Sequence, residues 1–460
     1  MNNTYFLKTV FVTFLACACV VSNLRAQSAD ALIDKLVEKG ILTVREANEL
    51  REESEKSFNQ AYSVKSGMPD WVTALKFNGD FRGRFEQNNS DNDLYHTRNR
   101  FRYRIRFGVN ASLIDNFDVG FRIASGNPQT ISGGTLVGGS PITANTDMNS
   151  LESRKFLWVD AAFARWTPIN NPNWLASAVI GKFDNPFLLS NMIYDYDIVP
   201  EGGSFQINHN FSDTQVLKGI GAFFVLDEIN QGVGSVPSID PEHDPFLYGG
   251  QLMLESKWAT NFETALGVAV MDIAYKDSLS SLAQPFYNSG NTRRTNNGAL
   301  KYDYNPIIGT AAATFWLEKM PFYDGRFPLK LSGEYMINPA APANNQAFRA
   351  GINIGRAGRR KTWEIYYRYQ RLEADSWFDA MVDDDNGAFY APGNPQLAGT
   401  GKASGWFGGT NVKGHLVQFT YSFTDYMNFT FTWYLNDLII GAPGQSDRAG
   451  HFMTDLMWRF

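Results

Sequence analysis

The chain has 460 residues, enough for two or three ordinary domains or for one large barrel. Aromatic residues make up 14% of the chain, and 40 glycines suit a fold with many strands and turns. The low mean hydropathy excludes a bundle of transmembrane helices. A net charge of −6 gives no indication of nucleic-acid binding.

The N-terminus has the features of a secretory signal peptide. Lys8 supplies the positive charge, and Thr9–Val21 forms an apolar core too short to span a bilayer. Ala26 is the small residue before the expected cut, so residues 1–26 are the predicted signal. Both cysteines, Cys17 and Cys19, lie inside it, and the mature chain is therefore expected to form no disulfide. A lipoprotein signal that uses one of the cysteines is the weaker alternative.

Residues 27–57 differ in pattern from everything that follows. Their apolar periodicity predicts two short helices separated at Gly40, and Thr43 with Glu46 forms a capping box at the start of the second. Two interpretations are about equally supported: a helical hairpin in solvent, or a periplasmic segment that oligomerises or faces the cell wall. Residues 58–72 are predicted to be a linker.

Residues 98–113, RNRFRYRIRFGVNASL, carry an arginine at every second position from Arg98 to Arg106. Aromatic and aliphatic side chains fill the positions between them. In a strand the two sets lie on opposite faces, and five cations on one face cannot be buried in a dry core unless they are paired. The wall of a membrane β-barrel, with lipid outside and a wet lumen inside, suits both faces.

From residue 73 to the end, short alternating segments predict an all-β fold, a transmembrane antiparallel β-barrel of about 16 strands. The predicted strands are 73–86, 98–114, 117–125, 153–166, 174–183, 203–210, 218–227, 246–257, 260–273, 305–318, 326–337, 347–356, 360–373, 412–424, 426–437 and 449–460. Long connections alternate with tight turns such as Asp115-Asn116. This alternation is typical of outer-membrane barrels and places both termini on the periplasmic side.

The last predicted strand ends on an aromatic ring. Trp458 and Phe460 share its apolar face. A terminal ring on an amphipathic strand resembles the signal that the barrel-assembly machinery of Gram-negative outer membranes recognises. Trp458 and Phe460 are therefore the candidate assembly signal.

Together these features resemble the Gram-negative outer-membrane porins, and most of all the putative porin family of the 16-stranded type. The segments GKFDNPF at Gly181–Phe187 and DYDIVPEG at Asp195–Gly202 add to the resemblance. It implies a passive channel for small hydrophilic solutes in the outer membrane, surrounded by lipid and lipopolysaccharide and commonly a homotrimer. It also implies that the third outer loop, about 184–202, folds inward as a constriction.

By strand parity, arginines of three adjacent strands are the candidate pore-lining residues: Arg82, Arg84, Arg100, Arg102, Arg104, Arg106 and Arg122. The candidate acids of the constriction loop are Asp184, Asp195, Asp197 and Glu201. Opposed charges of this kind would create a transverse field in a lumen that favours anions. Alternatively, the arginines pair with carboxylates and hold the loop in place. The two interpretations are nearly balanced.

Three other functions compete with this interpretation. A phosphate- or anion-selective porin would need the arginines spread along the path as a ladder, whereas their crowding on two strands favours a lateral wall. A non-conducting structural or adhesin barrel is the second alternative. An enzyme is disfavoured because none of the five histidines lies in a recognisable Ser or Asp context. We predict no catalytic residue, metal or cofactor, and interpret Asp383, Asp384 and Asp385 as solvated or divalent-bridged outer-loop surface.

Overall fold

The computed structural model describes residues 69–130, 136–228, 243–279, 289–295, 298–398 and 403–460. The predicted signal peptide, the predicted helical segment at 27–57 and most of the predicted linker lie outside the described residues. Leu75–Phe460 form one compact unit. Within the described residues, no helix is both long and apolar enough to cross a membrane.

Sixteen strands run around a barrel: β1 Val72–Ser90, β2 Arg98–Leu113, β3 Phe117–Ser125, β4 Leu157–Asn170, β5 Trp174–Lys182, β6 Glu201–Ser212, β7 Gln215–Val225, β8 Phe246–Ala259, β9 Phe262–Ala274, β10 Ile307–Leu317, β11 Phe327–Ile337, β12 Gln346–Gly355, β13 Thr362–Leu372, β14 Val412–Ser422, β15 Met427–Leu438 and β16 Ala449–Arg459. Each strand pairs with its neighbours in the chain. β16 pairs antiparallel with β1, from Ala449 opposite Ser90 to Arg459 opposite Asp80. The sheet is thus closed, and the predicted sixteen-stranded barrel is confirmed.

The two faces of the sheet differ as the sequence alternation predicts. On β2, Phe101 is 61% exposed and Ile105 is 40% exposed, whereas Arg102 and Arg104 are each only 5% exposed. Large apolar side chains on other strands continue this exposed belt, among them Phe77, Phe121, Leu252, Val268, Leu331 and Trp433. An apolar outer belt of this kind is the lipid-facing surface of a membrane barrel.

The connections alternate in length around the barrel. Those after even-numbered strands are mostly tight turns; in the first, Asp115 and Asn116 adopt left-handed φ angles of 60° and 61°, which these short polar residues tolerate. Those after odd-numbered strands are numbered here as loops 1 to 8: 91–97, 126–156, 183–200, 226–245, 275–306, 338–345, 373–411 and 439–448. The turn at 318–326 is longer than its even-strand counterparts.

Short elements lie within the loops. In loop 2, Thr146–Asp147 adds a two-residue strand to β2 opposite Arg102 and Tyr103, and Pro128–Thr130 pairs with Leu136–Gly139. In loop 7, Gly387–Tyr390 pairs with Gly405–Gly408. Three single 3₁₀ turns complete the described elements: Ile114–Asn116, Lys276–Ser278 and Pro395–Leu397.

The main hydrophobic core lies inside the barrel and is formed largely by loops. Ile193 of loop 3, Tyr304 of loop 5 and Trp377 of loop 7 are buried together with inward side chains of the strands. The Trp377 indole N–H donates to the Ile193 carbonyl at 2.8 Å, and the Asp195 amide donates to the Met381 carbonyl at 2.7 Å. Loops 3, 5 and 7 therefore form a packed body that fills much of the lumen.

Candidate functional site: a charged passage in the lumen

Arginines of β1, β2 and β3 form a cationic surface on the side of the sheet opposite the apolar belt. This arginine wall comprises the residues predicted to line a pore: Arg82, Arg84, Arg100, Arg102, Arg104, Arg106 and Arg122. Because side chains two residues apart share a strand face, acids of the same parity lie on the wall as well. Asp80 and Glu86 on β1 are two such acids.

Each of these two carboxylates pairs with two arginines of β2. Asp80 lies 2.9 Å from Arg104 Nη2 and 2.7 Å from Arg106 Nη2. Glu86 lies 3.1 Å from Arg102 Nη1 and also pairs with Arg100. One acid therefore bridges two arginines in each case, which satisfies the requirement that buried charges be paired.

Other acids reach the wall from distant parts of the chain. Arg84 donates to both carboxylate oxygens of Asp455 on β16, at 2.7 and 2.9 Å. Arg122 donates to Asp184 of loop 3 at 2.6 Å and also pairs with Asp160 of β4. In loop 2, Asp147 lies 2.9 Å from Arg102 Nε. The two-pronged contacts of Arg84 with Asp455 and of Arg122 with Asp184 have the geometry in which a guanidinium binds most strongly.

Arg82 is the exception on the wall. Its side chain donates to the amide oxygen of Asn145 at 2.8 Å. Of the carboxylates in the described residues, none lies within ion-pair distance of it, and its Nε has no hydrogen-bond partner there. Arg82 is thus a cation whose charge is only indirectly compensated.

The structure places the four acids predicted for the constriction loop in four different settings. Asp184 pairs with Arg122 and Asp197 lies 3.4 Å from Arg104, so loop 3 does contact the wall. Asp195 is only 6% exposed and lies against loop 7. Glu201 opens β6 and pairs with Lys182 of β5 at 3.0 Å rather than with a wall arginine.

Loop 7 also enters the lumen, which corrects the interpretation of its acids as outer-loop surface. Asp383 is 6% exposed, lies 3.0 Å from Arg368 of β13 and accepts a hydrogen bond from the Tyr434 hydroxyl. Asp385 lies 3.6 Å from Arg84. These acids point inward because inward-facing cations are available to them, a fact that the loop sequence alone does not contain.

Loops 3 and 7 meet through a cluster of acids. Carboxylate oxygens of Asp195, Asp383 and Asp384 lie within 4.8 Å of one another. Burial, and next the charge of Asp383, raises the pKa of the Asp195 carboxyl well above its ordinary value. Burial, and next Asp385, does the same to the pKa of Asp384. The junction between the loops therefore favours protonated carboxyl groups.

Two polar cavities lie along the arginine wall. An outer cavity of about 650 Å³ is lined by Arg98, Arg100 and Arg102 together with residues of loops 1, 2 and 7. An inner cavity of about 340 Å³ is lined by Arg82 and Arg84 together with residues of β14, β15 and β16. A third cavity of about 730 Å³, on the strands from β7 to β13, contains no wall arginine. Of the sequence-predicted features, only the arginines indicated where the first two cavities lie.

A closed antiparallel barrel of sixteen strands with an apolar outer belt and charged cavities in its lumen is a porin-type barrel. Residues 91–305 match the family model described as putative porin. The resemblance to porins that the sequence motifs indicated is thus confirmed over these residues. No curated protein matches the chain significantly.

Solved porin structures resemble the chain at low identity. Salmonella typhi OmpF, in complex with daunomycin, is 11% identical with a TM-score of 0.44, over 84% of this chain and 97% of that chain. A loop-deletion mutant of OmpT, an outer membrane protein of Vibrio cholerae, is 10% identical with a TM-score of 0.43, over 84% and 99% of the two chains. Identities this low transfer no residue roles.

Proposed function

We propose that the protein is an outer-membrane porin of a Gram-negative bacterium, a water-filled channel for the passive diffusion of small hydrophilic solutes. The observation that carries the proposal is the pair of polar cavities along the arginine wall, inside a closed barrel with an apolar belt. Such a channel acts through its width and its charge and performs no covalent chemistry.

An anion preference is part of the proposal, and it depends on uncompensated charge. Most wall arginines have a carboxylate partner, so their fields largely cancel at a distance. Arg82, held by an amide, and Arg98, exposed at the outer cavity, supply the remaining positive charge. We therefore propose a modest preference for anions.

One observation favours a phosphate- or anion-selective porin as the second candidate. Arginines line the outer cavity through Arg100 and Arg102 and the inner cavity through Arg82 and Arg84. Cations at successive depths are what a ladder for anions requires. The chloride current measured with and without inorganic phosphate distinguishes the two candidates. Phosphate should reduce this current in a phosphate-selective channel and leave it nearly unchanged in a general porin.

Reconstitution into a planar lipid bilayer tests the proposed function. We expect discrete ion steps, of small amplitude because loops 3, 5 and 7 fill much of the lumen. In a salt gradient, the zero-current potential should indicate a modest anion preference. A correctly folded protein that gives no ion steps would instead be a structural or adhesin barrel.

Three kinds of partner belong to the proposed porin function as well. The porin resemblance supports a homotrimer. It also supports outer-membrane lipid and lipopolysaccharide as the surroundings of the barrel, and assembly by the barrel-assembly machinery through Trp458 and Phe460. Mass measurement of the detergent-solubilised protein before and after boiling tests the trimer. A species with the mass of one chain under mild conditions would contradict it.

A further inference from the structure

We propose that loop 7, rather than loop 3, forms the septum between the outer and inner cavities and sets the charge selectivity through Asp385. The inference rests on the proposed channel function and assigns the selectivity-determining residues of that channel. Loop 3 is the inward loop that the sequence indicated. Loop 7 was expected at the surface.

The lining of the two cavities locates the septum. Asp384 lines the outer cavity and Asp385, the next residue, lines the inner one. The short turn that contains both residues therefore lies where one cavity ends and the other begins. No residue of loop 3, which the structure describes in full, lines either cavity.

A chain of polar contacts ties this turn to the arginine wall. Asp385 Oδ2 lies 3.6 Å from Arg84. The Asp385 carbonyl lies 3.0 Å from Nδ1 of the buried His451 on β16, and Nε2 of the same ring lies 3.4 Å from Glu86. Glu86 in turn pairs with Arg102 of the outer cavity. Side chains of β1, β2, β16 and loop 7 thus separate the two cavities.

Packing behind the turn holds it in this position. Asp383 is paired with Arg368, which is fully buried, and the Asp383 amide donates to the Asn191 carbonyl of loop 3 at 3.0 Å. On the other side, a Cβ at Gly408 would lie 1.9 Å from the Asp384 carbonyl oxygen. Loop 3 therefore supports the turn from behind, and the loop 7 hairpin passes so close to it that only glycine fits.

The charges of the two loops act in different places. Asp385 faces Arg84, which lines the inner cavity. Asp197 of loop 3 faces Arg104, which lines neither of the two cavities. Removal of the Asp385 charge should therefore leave positive charge on Arg84 at the inner cavity, whereas removal of the Asp197 charge leaves it mainly on Arg104, outside both cavities.

Charge-neutral variants in a planar bilayer test the assignment. We expect Asp385→Asn to raise the ratio of chloride to potassium permeability roughly threefold, the effect of one unit charge a few ångströms from the path in a wet environment. Asp197→Asn should change the ratio by less than half as much. Asp425→Asn, in the exposed turn between β14 and β15, controls for the change in net charge. An Asp197→Asn effect equal to or larger than that of Asp385→Asn would overturn the proposal.

A labelling experiment locates the septum without any current. Residues 69–460 contain no cysteine, so Thr430→Cys places a single thiol in this part of the chain, at the inner cavity, and Thr143→Cys places one at the outer cavity. In intact cells, a charged membrane-impermeant maleimide should label the inner thiol several times faster when Asp385→Ala is added. Asp197→Ala should accelerate it less.

The outer thiol should react at the same rate in every background, which verifies that each variant is assembled. Acceleration by Asp197→Ala alone, or by neither variant, would overturn the septum at loop 7. Absence of ion steps from the wild-type protein would overturn the channel function instead, while the labelling rates would still decide which loop separates the cavities.

Discussion

The stability that each arginine of the wall contributes, and the charge that it leaves uncompensated, depend on the carboxylate beside it. Asp80 bridges two arginines and Asp455 binds Arg84 with both oxygens. Removal of one partner from such a buried pair leaves an uncompensated charge and typically costs about 3–5 kcal/mol. Arg82 lacks a carboxylate partner among the described residues, so the same logic gives it a different role. We propose that its charge is available to a solute.

Substitutions at Arg82 and Arg104 should therefore separate selectivity from stability. Arg82→Gln leaves no carboxylate without its cation, and we expect it to reduce the anion preference with little change in thermal stability. Arg104→Gln leaves Asp197 without its cation, and we expect lower stability with a smaller change in preference. Zero-current potentials and heat-modified gel mobility measure the two effects. If Arg104→Gln changed the potential as much as Arg82→Gln, pairing would not decide which arginines act on solutes.

Loops 3 and 7 act as one element because they are packed together inside the barrel. Trp377 hydrogen-bonds to Ile193, and Asp195 lies among the acids of loop 7. The pKa of Asp195 is raised above its ordinary value by burial and by Asp383. A carboxyl group whose pKa is higher in the folded state stabilises that state at pH values below its ordinary pKa. This contribution is lost as the pH rises through the raised pKa.

The variant Asp195→Asn should remove this pH dependence while it keeps the acceptor for the Asp197 amide. At pH 8 we expect amides of the loop 7 turn to exchange hydrogen severalfold more slowly in the variant than in the wild type, because the neutral amide places no charge in the buried junction. At pH 4 the difference should nearly vanish.

Hydrogen-exchange mass spectrometry measures this difference, and Asp425→Asn, at an exposed carboxylate of the turn between β14 and β15, is the matched control. Faster exchange in Asp195→Asn at pH 8 would show that the ionised carboxylate stabilises the junction. The direction of the pKa shift would then be wrong.

The molecule as a whole is defined by the closure of its sheet. Phe460, just after β16, exchanges two backbone hydrogen bonds with Gly79 of β1, at 2.8 and 3.1 Å. Its ring is 62% exposed. A Cβ on Gly79 would lie 2.4 Å from the Arg106 carbonyl and 2.6 Å from that ring. The end of the chain therefore contributes backbone bonds to closure and an exposed ring to the outer surface.

Deletion of Phe460 should lower the amount of folded protein in the outer membrane severalfold. Phe460→Ala keeps the backbone hydrogen bonds and removes only the ring. It therefore separates the closure of the sheet from recognition of the ring by the assembly machinery. Folded, heat-modifiable protein in isolated outer membranes is the measurement. Loss in both variants would assign the effect to the ring, and loss in the deletion alone would assign it to the backbone pairing with Gly79.

The strands of this protein are determined locally. Lipid and lumen impose opposite polarity on successive residues, so each strand can be read from its own sequence, and all sixteen were predicted. Errors occurred only at strand ends. The strand predicted at 153–166 is Leu157–Asn170, with a register irregularity between Trp166 and Ile169. A local irregularity of this kind leaves no periodic signal.

The partners of the wall arginines and the positions of the two cavities are determined by the tertiary structure. The arginines could be placed on one face by parity, because that property is local. Their partners could not be identified, since Arg84 and Asp455 are 371 positions apart. Asn191 and Asp383, which join loops 3 and 7, are 192 positions apart. Loops have no periodicity, so their fold depends on which inward charges and apolar side chains the closed barrel offers them.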